Sequence, residues 1–301
     1  MYDLLSIGTL GVDLYYQSES YSIENNKISF VLGDKYLAES FFVGIGGGAT
    51  NVAIGCEKHG LRTSLMAKIG NNPFKKLILD RLNEERISHL HCDYEDNYHN
   101  VSSIFLTSSG ERTVLNYHTN HQHFLRDEKD LEPLKRANNI FLGNLPDVSW
   151  SERLKMLHYA KQNGAKIFVN LGLKDCKRDK DQLDAMIRAT DVLILNSKEL
   201  AEFMKISSDS LNIQKVISHL NGRFYGKVVV VTHGSKGSYA FSDNAVFYQP
   251  ALEGNIIDTL GAGDGYTSGF ISKYIEENDI KDSMLAGAEY AKVIIGKIGA
   301  N

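Results

Sequence analysis

Between residues 73 and 232 short apolar runs alternate with segments whose apolar positions recur every three to four residues. The runs at 139–142, 166–170, 191–195 and 227–232 are four to six residues long and rich in Val, Ile, Leu and Phe, which predicts buried strands. The segments at 73–86, 150–163, 180–189, 198–204 and 212–220 carry the helical period. Strands alternating with helices in this way predict a parallel sheet covered on both faces. Residues 2–8 form a further short apolar run that ends at Gly8. The last strong helical pattern begins after Gly263: Tyr266, Phe270, Ile271, Tyr274 and Ile275 fall on one face.

The texture is different over 12–43 and 99–118. Leu14-Tyr15-Tyr16, Ile28-Ser29-Phe30-Val31 and Phe41-Phe42-Val43 are aromatic and β-branched clusters separated by polar residues, without a helical period. Val101–Leu106 and Arg112–Tyr117 form a second pair of such runs around a Ser-Ser-Gly-Glu turn. These strands are expected outside the main sheet, as a small flap or lid whose edges need covering by substrate or by a second subunit.

Composition narrows the function. With 301 residues, 43% hydrophobic and 23% charged, the chain has room for a full core of one α/β domain. A net charge of −4 argues against a general nucleic-acid or anionic-membrane binder. There is no run of about 18 apolar residues to span a membrane, and the first residues lack the basic and apolar regions of a signal peptide. Cys56, Cys92 and Cys176 are too scattered for a zinc or disulfide framework, which suits a reducing cytoplasm.

Five stretches carry chemistry. In Asp258-Thr259-Leu260-Gly261-Ala262-Gly263-Asp264, three small residues and an acid open the helical pattern. Such a helix start offers free N–H groups and the positive end of a dipole to an anion, and keeps Asp264 ionised to accept a proton from a substrate hydroxyl. The bland alternative is a Gly-rich turn with an ordinary N-terminal cap. In Gly46-Gly47-Gly48-Ala49-Thr50-Asn51, glycines again admit a ligand to the backbone, and Asn51 can both donate to and accept from hydroxyls. Asp13 follows the first strand, where open α/β sheets place ligand contacts. Asn196 and Glu199 lie one turn apart at a helix start, suited either to a hydrated Mg²⁺ or to capping that helix. Thr232-His233-Gly234-Ser235-Lys236-Gly237 suits a nucleotide phosphate or ribose, or equally a hairpin turn. His118, His121 and His123 invite a metal reading, but no cysteine or acidic cluster completes a shell, so solvent- or substrate-facing lid histidines are expected. A dinucleotide site is not expected, since the glycines at 46–48 lack the required strand context.

With these residues placed, the sequence resembles the ribokinase-like, or PfkB, family of carbohydrate and nucleoside kinases over its whole length. The N-terminal signature runs from Gly46-Gly47 through Asn51 and Ala53 to Gly60 and Gly70, and the C-terminal one from Asp258 through Gly261-Ala262-Gly263-Asp264 to Ser268-Gly269-Phe270. The resemblance implies a three-layer α/β/α sandwich with a mostly parallel sheet, a single kinase domain over 1–301, and a β lid drawn from about 12–43 and 99–118. It implies ATP and Mg²⁺ as cofactors and a small sugar or nucleoside as substrate. Asp264 would be the catalytic base, with Gly261, Ala262 and Gly263 as the anion hole. Asp13, Gly46, Gly47 and Asn51 would hold sugar hydroxyls. Asn196, Thr232, Gly234 and Gly237 would line the nucleotide site, and Glu199 would attend Mg²⁺ through water. Asp258 stands where some members bind a stimulating monovalent cation such as K⁺. The lid often also forms a homodimer contact in this family.

Two departures bear on the substrate. Ribokinases proper have a lysine after the Gly-Gly pair, where this chain has Gly48, and many sugar-kinase members have Asp-Pro-Asn on a central strand, where the stretch here is Val169-Asn170-Leu171-Gly172. The expectation is an ATP-dependent kinase acting on a hydroxyl of a small sugar or sugar-like alcohol. A nucleoside kinase of the same family is the second reading, with Tyr15, Tyr16, Phe30 and Tyr117 as rings able to stack a purine. A sugar- or nucleotide-sensing protein without turnover is the third.

Overall fold

A computed structural model describes residues 1–25, 27–108, 110–120, 123–207, 213, 216, 224–243 and 245–301. Its main sheet has eight strands in the spatial order Ala245–Gln249, Ser238–Ser242, Val228–Thr232, Val192–Asn196, Lys166–Asn170, Asn139–Leu142, Leu4–Ile7 and Thr63–Met66. The last six are mutually parallel; Ser238–Ser242 runs antiparallel to them, and Ala245–Gln249 pairs antiparallel with Ser238–Ser242. The expected strand runs thus become a mostly parallel central sheet.

Both faces of that sheet are covered. Leu5, Ile7, Ile140, Leu142, Ile167, Val169, Leu193 and Val229 face one apolar cluster that also takes in Met156, Leu157, Met186 and Ile187 of the helices Trp150–Gln162 and Lys180–Ala189. The alternate residues Leu4, Phe141, Phe168, Val192, Ile194 and Val230 face another, built with Val52 and Cys56 of the helix Gly48–Lys58 and with Tyr266, Phe270, Ile271 and Tyr274 of the helix Ala262–Glu277. Alternating side chains on two buried faces give the continuous apolar runs seen in the sequence. Ile275 packs against the second cluster at its margin, so the predicted helical face of 266–275 is the one that meets the sheet.

The lid is a separate four-stranded sheet in the order Arg112–His118, Asn100–Thr107, Gly11–Ser18, Ser40–Gly46. Rings fill it: Phe105 contacts Tyr16, Tyr21 and Phe30, while Tyr16 also meets Phe41 and Phe30 meets Tyr36. The helix expected over 212–220 falls mostly outside the described residues, as does His121. Residues 234–236 form a short 3₁₀ turn that joins two antiparallel strands, so the stretch from Thr232 to Gly237 is a hairpin connection. The strands Thr63–Met66 and Ala245–Gln249 and the 3₁₀ helix Glu128–Arg136 lie outside the elements read from the sequence. Among the described residues no helix is long and apolar enough to cross a membrane.

Candidate active site

The first strand and the strand beginning at Gly11 leave the main sheet for the lid across Gly8, Thr9 and Leu10. Two helix starts converge beside this crossover. The helix Gly48–Lys58 begins at Gly47 and the helix Ala262–Glu277 at Gly261; both caps have positive φ, 100° and 76°, and neither start has a side-chain cap. Uncapped first turns leave N–H groups free for an anion. Space explains both glycines as well as backbone: a Cβ at Gly47 would stand 2.4 Å from the Thr9 carbonyl oxygen, and one at Gly261 2.5 Å from Ala300 Cβ. Gly263 is exposed, and nothing lies within 4 Å of where its Cβ would stand, so a ligand has access to this turn.

Asp264 is the meeting point. Asn51 Nδ2 donates to its Oδ2 at 2.7 Å, joining two motifs 213 residues apart. The amide of Asn51 is itself oriented, because Asn301 Nδ2 donates to Asn51 Oδ1 at 3.0 Å and to the Ile45 carbonyl at 2.7 Å. Burial raises the Asp264 carboxyl to about 6; the Asn51 hydrogen bond opposes this and the charge of Asp13 reinforces it. A carboxylate held near 6 is ionised at neutral pH yet basic enough to take a hydroxyl proton.

Asp13 is buried at the base of the lid strand Gly11–Ser18, paired in register with Gly44 and Ser102. Burial pushes its carboxyl up, a hydrogen bond from Ser102 opposes that, and the charge of Asp258 adds to it. Gly46 is required beside it, since a Cβ there would stand 2.0 Å from Asp13 Oδ2. A Cβ at Gly48 would lie 3.6 Å from Asp264 Oδ1, so a side chain at this position would extend beside the acid.

Asn196 and Thr232 are register partners at the carboxyl ends of adjacent parallel strands. Asn196 and Glu199 form a reciprocal capping box: Asn196 Oδ1 accepts from the Lys198 and Glu199 N–H groups, and Glu199 Oε2 accepts from the Asn196 N–H at 2.8 Å. The capping role weighed from the sequence is thus present in the geometry. Burial raises the Glu199 carboxyl to about 7, the Asn196 backbone N–H opposes this, and the charge of Asp264 adds to it, which links the two acids electrostatically. Gly234 has open space around it, whereas a Cβ at Gly237 would stand 2.2 Å from the Gln249 carbonyl oxygen. Gly237 therefore has a packing reason to be glycine.

Asp258 is fully buried. Its Oδ1 accepts from Leu260 N at 2.9 Å and lies 3.7 Å from Arg112 Nη1; its Oδ2 accepts from Gly299 N at 3.3 Å. Arg112, Asn301 and Ser102 were not singled out by the sequence, since none stands in a recognisable motif. His118 faces Asp147 at 3.0 Å and His123 faces Glu152 at 3.7 Å, and among the described residues no cluster of metal-ligating side chains occurs.

Several known proteins are similar to this chain in sequence or in fold. The chain is 24% identical over 266 residues to a 5-dehydro-2-deoxygluconokinase of Clostridium botulinum (strain Alaska E43 / Type E3), covering 83% of this chain and 78% of that one. It is 22% identical over 313 residues to that of Bacillus thuringiensis (strain Al Hakam), covering 98% and 89%. Among solved structures, Arabidopsis thaliana ribokinase complexed with ribose and ATP superposes with a TM-score of 0.80 at 21% identity, covering 99% of this chain and 94% of the other. A Methanocaldococcus jannaschii nucleoside kinase of the ribokinase family gives 0.74 at 20% identity, covering 100% and 93%. The pfkB family carbohydrate kinase profile matches residues 2–301, and the chain belongs to that family.

Proposed function

We propose that this carbohydrate kinase transfers the γ-phosphoryl group of ATP to a hydroxyl of a small sugar or sugar acid, with Asp264 as the base. The observation that carries the reading is the Asn51–Asp264 hydrogen bond beside two uncapped helix starts. Asp13, Gly46, Gly47 and Asn51 hold the acceptor's hydroxyls. Asp264 accepts the proton of the attacking hydroxyl as the oxygen moves onto phosphorus. The N–H groups of Gly261, Ala262 and Gly263 face the charge that builds on the phosphoryl oxygens, a preorganised contribution that water would have to reorganise to match. Asn196, Thr232, Gly234 and Gly237 line the nucleotide side, with Glu199 placed to hold Mg²⁺ through water. When bound, Mg²⁺ neutralises part of the phosphate charge.

The nucleoside reading receives less support. Tyr16 and Phe30, two of the rings available to stack a purine, are engaged with Phe41, Phe105, Tyr21 and Tyr36. The relatives named above are 5-dehydro-2-deoxygluconokinases, which directs the acceptor search toward oxidised deoxy sugar acids. The exposed edge of the lid is further read as a contact between two copies of the chain.

The test is donor consumption with ATP and Mg²⁺ across sugars, sugar acids and nucleosides, with Asp264→Asn alongside. Turnover on one acceptor, lowered about 10²- to 10⁴-fold in the variant with ATP binding retained, supports the assignment. Retained turnover in the variant removes Asp264 as the base.

A further inference from the structure

The tip of the lid hairpin touches the loop that leads into the anion-hole helix at two points. A Cβ at Gly110 would stand 2.9 Å from the Ile257 carbonyl oxygen, so the turn lies directly on that backbone. Two residues on, Arg112 Nη1 donates to Thr259 Oγ1 and stands 3.7 Å from Asp258 Oδ1. Arg112 belongs to the lid, whose central strand carries Asp13, whereas Asp258 and Thr259 lead within three residues to Gly261. One guanidinium therefore ties the lid sheet to the turn that opens the helix Ala262–Glu277.

This arrangement does not fit a monovalent cation at Asp258. Both carboxylate oxygens already accept backbone N–H groups, and the countercharge of the fully buried side chain is Arg112, itself 24% exposed. The buried Asp258 carboxylate already has a partner charge in Arg112, and a cation brought against the same carboxylate would stand close to that guanidinium. We propose that Arg112 does at this site what a monovalent cation would do: it balances Asp258 and fixes the Asp258–Gly261 turn, so that the enzyme works without K⁺ and the turn is set by the position of the lid. Arg112 is thus a positioning residue. The inference rests on the kinase reading for its rate consequences, but not for its electrostatic ones.

Among the described residues the buried hydroxyl of Tyr15 has no hydrogen-bond partner, and it feels the charges of Asp13, Asp258 and Arg112. With the guanidinium removed, the buried Asp258 carboxylate would be left without the countercharge that an added cation could supply. The experiment compares wild type, Arg112→Ala, Arg112→Lys and the double variant Arg112→Ala/Asp258→Asn in KCl and in choline chloride at equal ionic strength. Melting temperature and turnover are both read. Wild type is expected to show the same melting temperature and rate in the two salts. Arg112→Ala is expected to lose roughly 10- to 100-fold in rate through misplacement of the turn, and to recover part of both rate and melting temperature in KCl alone. Arg112→Lys keeps a charge and should lose less, while the double variant, with no charge left to balance, should not respond to K⁺. A several-fold stimulation of wild type by K⁺, or an Arg112→Ala enzyme as fast and as stable as wild type in choline, overturns the proposal. The melting arm decides it even if no acceptor is turned over, an outcome that would count against the kinase reading alone.

Discussion

The Asp264 carboxyl is under opposing influences, and their balance sets how the enzyme should respond to pH. Burial and the neighbouring Asp13 raise it from 3.8 to about 6, while Asn51 and the start of the helix favour the charge. A base must be ionised, so kcat/KM for the best acceptor should rise with pH through about 6 and then level, a limb that Asp264→Asn should lack. Stability runs the other way. The folded state holds this proton more tightly than the unfolded chain does, so the associated stabilisation is present below about pH 4 and lost as pH rises through about 6. Asp264→Asn should therefore melt above wild type at pH 7 and differ little at pH 4; equal melting temperatures at both would show that the carboxyl carries no such strain. At this scale the sequence marked the residues proposed to react but not their neighbours. Asn51 and Asp264 stand in motifs, whereas Asn301, which turns the Asn51 amide toward the acid, has no local pattern to mark it. Arg112 similarly reads as one more charged residue after a turn until the fold brings it to Asp258.

Helix pairing determines whether those residues meet at all. The helices Gly48–Lys58 and Ala262–Glu277 lie so close that a Cβ at Gly55 would stand 2.2 Å from Ser268 Oγ and 3.0 Å from Tyr290 Cε1. One of the pair carries Asn51 and the other Asp264, so their separation fixes the 2.7 Å bond. Gly55→Ala should destabilise the protein by about 1–3 kcal/mol through overpacking and lower kcat more than it raises KM for ATP, since it moves the acid relative to the acceptor residues. Denaturant unfolding and steady-state kinetics on the same preparation check both parts; an unchanged kcat would mean that the helix starts hold their positions independently of this contact. The alternation of apolar runs and helical periods made most of these elements legible, because the parallel strands are buried on both faces. The four-residue strand Thr63–Met66 was not legible: it is as short as a turn of loop, and its sequence, TSLM, alternates polar and apolar only weakly.

For the whole molecule, the outer strand of the lid bears on assembly. Arg112–His118 pairs with Asn100–Thr107 on one side only, leaving a row of backbone groups at the sheet edge. Leu115 and Tyr117 on it are 67% and 64% exposed, and on the opposite edge strand Phe41 is 59% exposed. Edge strands in soluble proteins are ordinarily shortened, charged or covered. This one is seven residues long with Arg112 as its only formal charge, and Arg112 is turned inward to Asp258. A second copy, related by a two-fold axis, can meet the same strand with the same strand and cover Leu115 and Tyr117 of both copies at once. Light scattering across a dilution series should then give a dimer of the 33.6 kDa chain, and Leu115→Glu should shift it toward monomer. If Arg112 and the lid are coupled as inferred, that variant should also slow turnover while leaving the Asp264 pH limb in place, because it disturbs the seating of the hairpin and not the acid. A monomer at every concentration would leave the lid edge uncovered by this chain and assign its apolar residues to closing over the acceptor.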